Sequence, residues 1–181
     1  MRTSFILAFT IAGLGLAGCD LTAPSKVKDG DGAVEVATPR AGAFAHSQTG
    51  DLSGYYNPGA QVGPDDFQLM TVFVGQEPEF KTWEAGQRST TFAPVMLEFS
   101  VPGETTERVL PDSYSVSDDR IRMTGTSPGH GRVTFDARLD QGALSTARRN
   151  LGEGEASAMT ATVTIGDRSY TGMKFAWSGG D

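Results

Sequence analysis

Hydrophobic and polar residues alternate along most of the chain after residue 50, which is the pattern of β-strands with one buried face. The clearest run is 132–139, in which every second residue from Val133 to Leu139 is apolar. A second clear run lies at 120–126. Further strands are predicted at 50–56, 67–74, 92–101, 107–110 and 113–116.

The C-terminal part of the chain predicts a β-hairpin. Two alternating runs, 158–165 and 168–177, are separated only by Gly166 and Asp167. A two-residue loop with glycine first suits a type II′ turn, which matches the twist of paired strands. We therefore expect these two strands to lie side by side, with their apolar faces on the same side.

Three stretches depart from simple alternation. Residues 67–74 are apolar on both faces, which is typical of a buried central strand. Phe80 and Trp83 are three residues apart and predict one helical turn packed on the sheet. Residues 143–151 fit a helix or a strand returning along its neighbour, and both alternatives stay open.

These elements predict an all-β domain of about seven to nine short strands. Glycine supplies 23 of the 181 residues, which is nearly twice its usual share. Such a share favours a fold with many turns rather than long helices. An antiparallel β-sandwich and a small β-barrel both satisfy the pattern.

The first nineteen residues have the organisation of a secretory signal. Arg2 gives a positive start, residues 5–16 are almost entirely apolar, and small residues precede Cys19. The apolar run is too short to span a hydrocarbon core of about 30 Å as a helix. Leu16-Ala17-Gly18-Cys19 resembles the lipobox of bacterial lipoproteins.

The resemblance implies that the chain is cut between Gly18 and Cys19 and that Cys19 is then fatty-acylated. Two or more acyl chains give durable attachment to a lipid bilayer, where one chain does not. The protein is thus expected in the bacterial cell envelope, facing the periplasm or the cell surface. Asp20 resembles the inner-membrane retention signal of some enteric bacteria, while the choice of membrane stays open.

The resemblance also divides the chain into three segments. Residues 1–18 are the signal peptide, and residues 19–50 are a lipidated tether. The tether is rich in small and polar residues, which is typical of a segment without a packed core. Residues 51–181 are predicted to form the single β domain.

Charge and cysteine content exclude several functions. The chain has a formal net charge of −7, and loss of Arg2 with the signal peptide makes it −8. An acidic surface without a basic patch argues against nucleic-acid binding. Cys19 is the single cysteine of the sequence, so the domain is expected to have no disulfide, thiol nucleophile or thiolate metal site.

The sequence is poor in catalytic groups. Its two histidines are His46, in the predicted tether, and His130, in a glycine-rich loop where we expect an exposed side chain. There is no G-x-S-x-G nucleophile motif and no set of histidines for a metal. We therefore predict a protein that is not an enzyme and uses neither a metal nor a cofactor.

Aromatic residues are the better candidates for a function. Tyr55, Tyr56, Trp83 and Trp177 offer stacking faces for a sugar or a peptide, although such residues are more often core. We take Tyr55, Tyr56, Trp83 and His130 as the candidate binding surface. The predicted function is binding or assembly with an envelope protein or glycan; the alternatives are a carrier of a small apolar ligand inside a barrel, and a hydrolase.

Overall fold

The computed structural model describes residues 43–103, 105–151 and 156–180. Within them the chain forms ten β-strands and two α-helices. In chain order these are β1 (Phe44–His46), β2 (Gly54–Pro58), β3 (Gln68–Val74), α1 (Glu77–Glu84), β4 (Val95–Val101), β5 (Thr105–Val109), β6 (Pro111–Val116), β7 (Arg120–Ser127), β8 (Gly131–Leu139), α2 (Gln141–Arg149), β9 (Ser157–Ile165) and β10 (Arg168–Ser178).

All ten strands belong to one sheet, in the order β1-β6-β7-β8-β9-β10-β2-β3-β4-β5. The sheet curls into a half-barrel, and the expected all-β class is confirmed. Every neighbouring pair is antiparallel except β1 and β6, which run parallel. The prediction of seven to nine antiparallel strands is wrong in that the described residues form ten strands and that the short strand β1 runs parallel to β6.

The curling brings strands together that are not neighbours in the sheet. Strand β5 lies at one edge of the sheet and ends at Val109. Strand β6 begins at Pro111 and lies next to β1, which forms the opposite edge. One residue, Leu110, therefore carries the chain between the two ends of the sheet. As a result β5 lies against β7, and β4 lies against β6.

Alternation along the strands fills the inner face of the sheet with apolar side chains. On three adjacent strands Met123, Phe135 and Val163 lie side by side in register and are all buried. At another place the rings of Phe67 and Phe99 stack at 3.9 Å. Each large apolar side chain buried in this way contributes about 1.5–3 kcal/mol to folding.

The folded domain begins earlier than residue 51, where the sequence analysis placed its start. Residues 44–46 were assigned to the tether but form β1, and Phe44 is buried with its ring 5.1 Å from that of Tyr114. Three residues are too few to show alternation, which is why the pattern missed them. The signal peptide and residues 19–42 of the predicted tether lie outside the described residues.

Both helices pack on the sheet and explain the ambiguous stretches. Phe80 and Trp83 of α1 are buried, as the helical-turn prediction required. Residues 143–151, left open between helix and strand, lie mostly in α2. Asp140 starts this helix by accepting a hydrogen bond from the backbone N–H of Ala143 at 2.9 Å. Neither helix is long and apolar enough to cross a bilayer.

The predicted hairpin is confirmed, with β9 and β10 paired in antiparallel fashion around Gly166. The φ of Gly166 is +55°, which glycine adopts without strain at the first position of such a turn. The first predicted strand lies later than expected, since β2 begins at Gly54 rather than at residue 50. The strand predicted at 67–74 is confirmed as β3, which is paired with β2 on one side and β4 on the other.

We predict that Gly125→Ala destabilises the fold by about 1–3 kcal/mol, because an added methyl group overpacks the contact of β7 with the end of β5. That methyl would lie 2.5 Å from the carbonyl oxygen of Leu110 and 2.6 Å from Cγ1 of Val109. The measurement is the urea midpoint of the purified chain. Gly129→Ala is the control, since its methyl would meet open space. Equal midpoints for the two variants would contradict the close approach of β5 to β7.

Candidate functional site

Aromatic rings lie on the outer face of β2 and β3 and in the segment just before β4, and two of them, Phe73 and Phe92, also pack against the core. Because side chains alternate along a strand, Tyr56 and Val72 point inward while Tyr55 and Phe73 point outward. The rings of Tyr55 and Phe73 are 5.3 Å apart, and that of Phe92 is 5.1 Å beyond Phe73. All three side chains are half-buried. This explains why 67–74 is apolar on both faces.

These rings line two adjoining hollows, which we together call the aromatic groove. The first hollow, of about 500 Å³, is lined in part by Gly54, Tyr55, Phe73, Glu79, Arg148 and Trp177. The second, of about 360 Å³, is lined in part by Pro78, Glu79, Trp83, Phe92 and Pro94. Glu79 lines both hollows, and the contact of Phe73 with Phe92 joins them.

Arg148, in the last turn of α2, is held in place at the first hollow. Its Nη1 donates to a carboxylate oxygen of Asp51 at 2.6 Å, and its Nη2 donates to the carbonyl oxygen of Ser53 at 2.6 Å. The guanidinium lies over the ring of Trp177, 5.0 Å from its centroid. Trp177 in turn donates from Nε1 to the same Ser53 oxygen at 2.9 Å. The cation is therefore fixed in orientation before any ligand arrives.

The carboxylate of Asp51 responds strongly to this arrangement. The hydrogen bond from Arg148 lowers the pKa of Asp51 from 3.8 to about 2, against the opposing effect of partial burial. The backbone N–H of Ser53 also donates to Asp51, at 2.9 Å, and adds to the lowering. Arg148 and Asp51 thus form an ion pair with no net charge over the whole physiological pH range.

Glu79 places a carboxylate between the two hollows. It lies in the first turn of α1, where the backbone N–H groups of the helix favour a negative side chain. One oxygen, Oε2, accepts the backbone N–H of Gln76 at 2.6 Å. This bond orients the side chain, and the other oxygen accepts no hydrogen bond from the described residues.

Glycine lets the backbone come close to the rings of the groove. Gly54 has a φ of +136°, and a Cβ there would overlap Nε1 of Trp177. A Cβ on Gly180 would lie 2.7 Å from the ring of Tyr55. Since neither position tolerates a side chain, the backbone at these glycines fixes where the two aromatic side chains stand.

Of the four residues predicted as a binding surface, the structure places Tyr55 and Trp83 in the groove. Tyr55 is half-buried in the first hollow, whereas Trp83 is only 6% exposed and contributes a wall of the second. Tyr56 is fully buried, so its assignment to a surface is wrong. Its hydroxyl donates to the Leu52 carbonyl at 2.7 Å, and burial raises its pKa.

His130 does not join the others. It is half-buried, and its ring stacks on Phe67 at 4.1 Å, so the expectation of an exposed loop side chain is also wrong. Trp177, which the sequence analysis considered beside the other aromatics, lies with Tyr55 in the first hollow. Gly18 and Cys19, the predicted cleavage and lipidation residues, lie outside the described residues.

Sequence reasoning missed a polar cluster built on His46. Nδ1 of His46 lies 2.9 Å from both carboxylate oxygens of Glu84, and the hydroxyl of Tyr114 donates to Glu84 at 3.0 Å. Burial and then the Glu84 charge raise the pKa of Tyr114. Because His46 lies on β1 and Glu84 on α1, this cluster fastens β1 to α1. A separation of 38 residues hid the pair from sequence analysis.

The acidic doublet Asp118-Asp119 also has a structural use. Asp118 accepts the backbone N–H groups of Thr49 and Gly50 at 2.8 and 2.9 Å, and these bonds lower its pKa. Asp119 accepts the hydroxyl of Ser117 at 2.7 Å. Among the described residues no group of three or more histidine, cysteine, aspartate or glutamate side chains is placed to hold a metal ion.

Comparison with known proteins gives no assignment, since the chain matches no family model, no curated protein and no solved structure. What the groove can do chemically therefore has to be inferred from the side chains that line it. It offers tilted aromatic faces, a fixed guanidinium and an oriented carboxylate. In the described part of the chain, neither hollow is lined by a histidine or a cysteine. Aromatic faces, a guanidinium and a carboxylate are groups that can bind a ligand by stacking and hydrogen bonding.

We predict that Asp51→Asn removes part of the acid sensitivity of the fold. The lowered pKa of Asp51 means that its contribution to stability is full above about pH 4 and is lost as the pH falls toward 2. The gap in urea midpoint between wild type and variant should narrow over that interval. We expect less than about 1 kcal/mol in all, because the Asp51 side chain is 61% exposed and its ion pair is screened.

The matched control for this variant is Asp66→Asn, which removes the same charge from an exposed carboxylate. The urea midpoint of Asp66→Asn should differ from that of the wild type by about the same amount at each pH. If the urea midpoint of Asp51→Asn also differs from that of the wild type by a constant amount, Asp51 does not hold the Arg148 guanidinium in solution as described.

Proposed function

We propose that this chain is a lipid-anchored protein of the bacterial cell envelope whose β domain binds an envelope protein or glycan without catalysing a reaction. The observation that carries the proposal is the aromatic groove. Three half-buried rings stand on the outer face of the sheet beside a guanidinium that is already fixed by Asp51 and Ser53. Aromatic residues and arginine are the side chains most often responsible for binding energy at interfaces.

The anchoring part of the proposal is supported by the sequence. Leu16-Ala17-Gly18-Cys19 follows a charged start and an apolar run in the order that a lipoprotein signal has. In this proposal the acyl chains on Cys19 hold the protein at the bilayer. The residues after it form the tether, and the β domain faces the periplasm or the cell surface, with Asp20 favouring the inner membrane.

The interior of the sheet favours surface binding over the carrier alternative. Large side chains occupy the inner face, among them the fully buried Phe67, Phe99, Phe135 and Phe175. We infer as well that the domain is an open barrel rather than a sandwich, since one continuous sheet brings β5 against β7. A small barrel filled by its own side chains leaves little space for a ligand within.

The anchor is tested by Cys19→Ser. We expect the wild-type protein to have the mass of fatty acids on Cys19, to lack residues 1–18 and to stay in the membrane fraction through a high-salt wash. The variant should keep its first eighteen residues. Thr22→Ala, which alters the neighbouring sequence and leaves the cysteine in place, should behave as the wild type. A wild-type protein without added mass at Cys19 would show that the anchor does not exist.

The groove is tested by crosslinking the full-length protein to its partner in solubilised envelope membranes. Tyr55→Ala and Phe73→Ala should each reduce recovery of the partner by at least about tenfold, because central aromatic contacts contribute about 2 kcal/mol or more in typical interfaces. The control is Met70→Ala, on the same strand and 57% exposed, but outside both hollows.

Circular dichroism and thermal unfolding of each variant show whether the domain remains folded. Partner recovery that is the same for all three folded variants and the wild type would place the binding surface elsewhere and overturn the proposal.

A further inference from the structure

We infer that the ligand of the aromatic groove is a neutral oligosaccharide. This inference rests on the proposed function, since it names the class of ligand that the same groove binds. It follows from the spacing of the rings, from the polar atoms that remain free beside them and from the balance of charge.

The spacing of the rings suits a chain of sugar rings. Tyr55, Phe73 and Phe92 follow one another at 5.3 and 5.1 Å, with their planes tilted by 57° and 60°. Tyr55 and Phe73 are opposite each other on adjacent strands, and the row therefore runs across the sheet. Each step is close to the length of one pyranose unit, whose C–H face packs on an aromatic face. Tilted rings suit a chain that twists from one unit to the next.

The polar atoms beside the rings match hydroxyl groups, which both donate and accept. A guanidinium has five N–H donors. In the described structure Nη1 and Nη2 of Arg148 use one each, on Asp51 and Ser53, so each nitrogen keeps a second N–H for a sugar oxygen. Glu79 uses Oε2 for Gln76 and keeps Oε1 as an acceptor. The groove thus has a fixed donor at one end and a fixed acceptor in its middle.

The charge of the groove favours a neutral ligand. Arg148 is neutralised by Asp51 at 2.6 Å, and this leaves the Glu79 carboxylate as the uncompensated charge. An acidic sugar would meet that carboxylate and the net negative charge of the chain, −7. A neutral sugar makes the same hydrogen bonds without either repulsion.

Two other ligand classes fit less well. A peptide bound by strand addition needs a free sheet edge, but the groove lies on a face where β2 is already paired with β3 and β10. An acyl chain needs an apolar lining, and burying the Arg148 and Glu79 groups against it without hydrogen bonds would be unfavourable. Sugar hydroxyls satisfy both groups.

The experiment is a titration of the full-length protein in detergent micelles with a panel of tetrasaccharides. The panel contains neutral members, made of β-linked glucose, α-linked glucose, mannose or N-acetylglucosamine, and one acidic member, made of galacturonic acid. The readout is tryptophan fluorescence with calorimetry, because Trp83 and Trp177 both line the groove. We expect at least one neutral member to bind, the acidic member to bind at least tenfold more weakly, and little change with salt.

Matched variants tie the binding to the groove. Glu79→Gln should weaken the neutral sugar about tenfold, because it exchanges a charge-assisted hydrogen bond for a neutral one. Glu77→Gln removes the same charge from the same helical turn, outside both hollows, and should leave binding unchanged. Equal loss in both variants would point to a general charge effect and overturn the inference.

The two levels of the proposal fail in different ways. If none of the neutral sugars binds, or the acidic sugar binds best, the neutral-oligosaccharide inference is wrong. If Tyr55→Ala still loses the crosslinked envelope partner in that case, the proposed function stands and the partner is a protein. If Tyr55→Ala also keeps the partner, both proposals fail.

Discussion

One curled sheet with a filled inner face is the constraint on which the rest of the structure depends. Leu110 takes the chain from one end of the sheet to the other, and Gly125 leaves room for that passage. Large apolar side chains occupy the inner face, while Tyr55, Phe73 and Phe92 remain half-buried, and Phe73 and Phe92 pack against the core. Phe73 contacts both Tyr55 and Phe92, and these half-buried rings form the groove between the core and the surface.

The sequence predicted the fold where the alternation was long. Strands β7 to β10 were found within a residue or two of their ends, since each has eight or more residues with one buried face. The short strand β1 was missed, because its place depends on Phe44 packing on Tyr114 and on His46 bonding to Glu84. For α2, pattern alone was ambiguous, and the choice of helix follows from β8 pairing with β9 rather than with the chain between them.

The site was predicted only in part, for a geometric reason. Tyr55 and Tyr56 are neighbours on one strand, so only one of them can face outward, and composition does not say which. The register with β3 decides it, by placing Tyr56 beside the inward Val72. Arg148 and Asp51 are 97 residues apart and meet only because α2 packs on β9 and β10. No local motif marks such a pair.

In the proposed function, attachment to a membrane changes the affinity that the groove needs. Both hollows are shallow surface features with one fixed cation, one oriented carboxylate and three tilted rings, which is a modest set of contacts for a sugar. A tether raises the effective concentration of a neighbouring ligand when its length matches the distance to be spanned. In this proposal, weak contacts that exchange quickly are then sufficient, because acyl chains on Cys19 rather than the groove would keep the protein at the membrane.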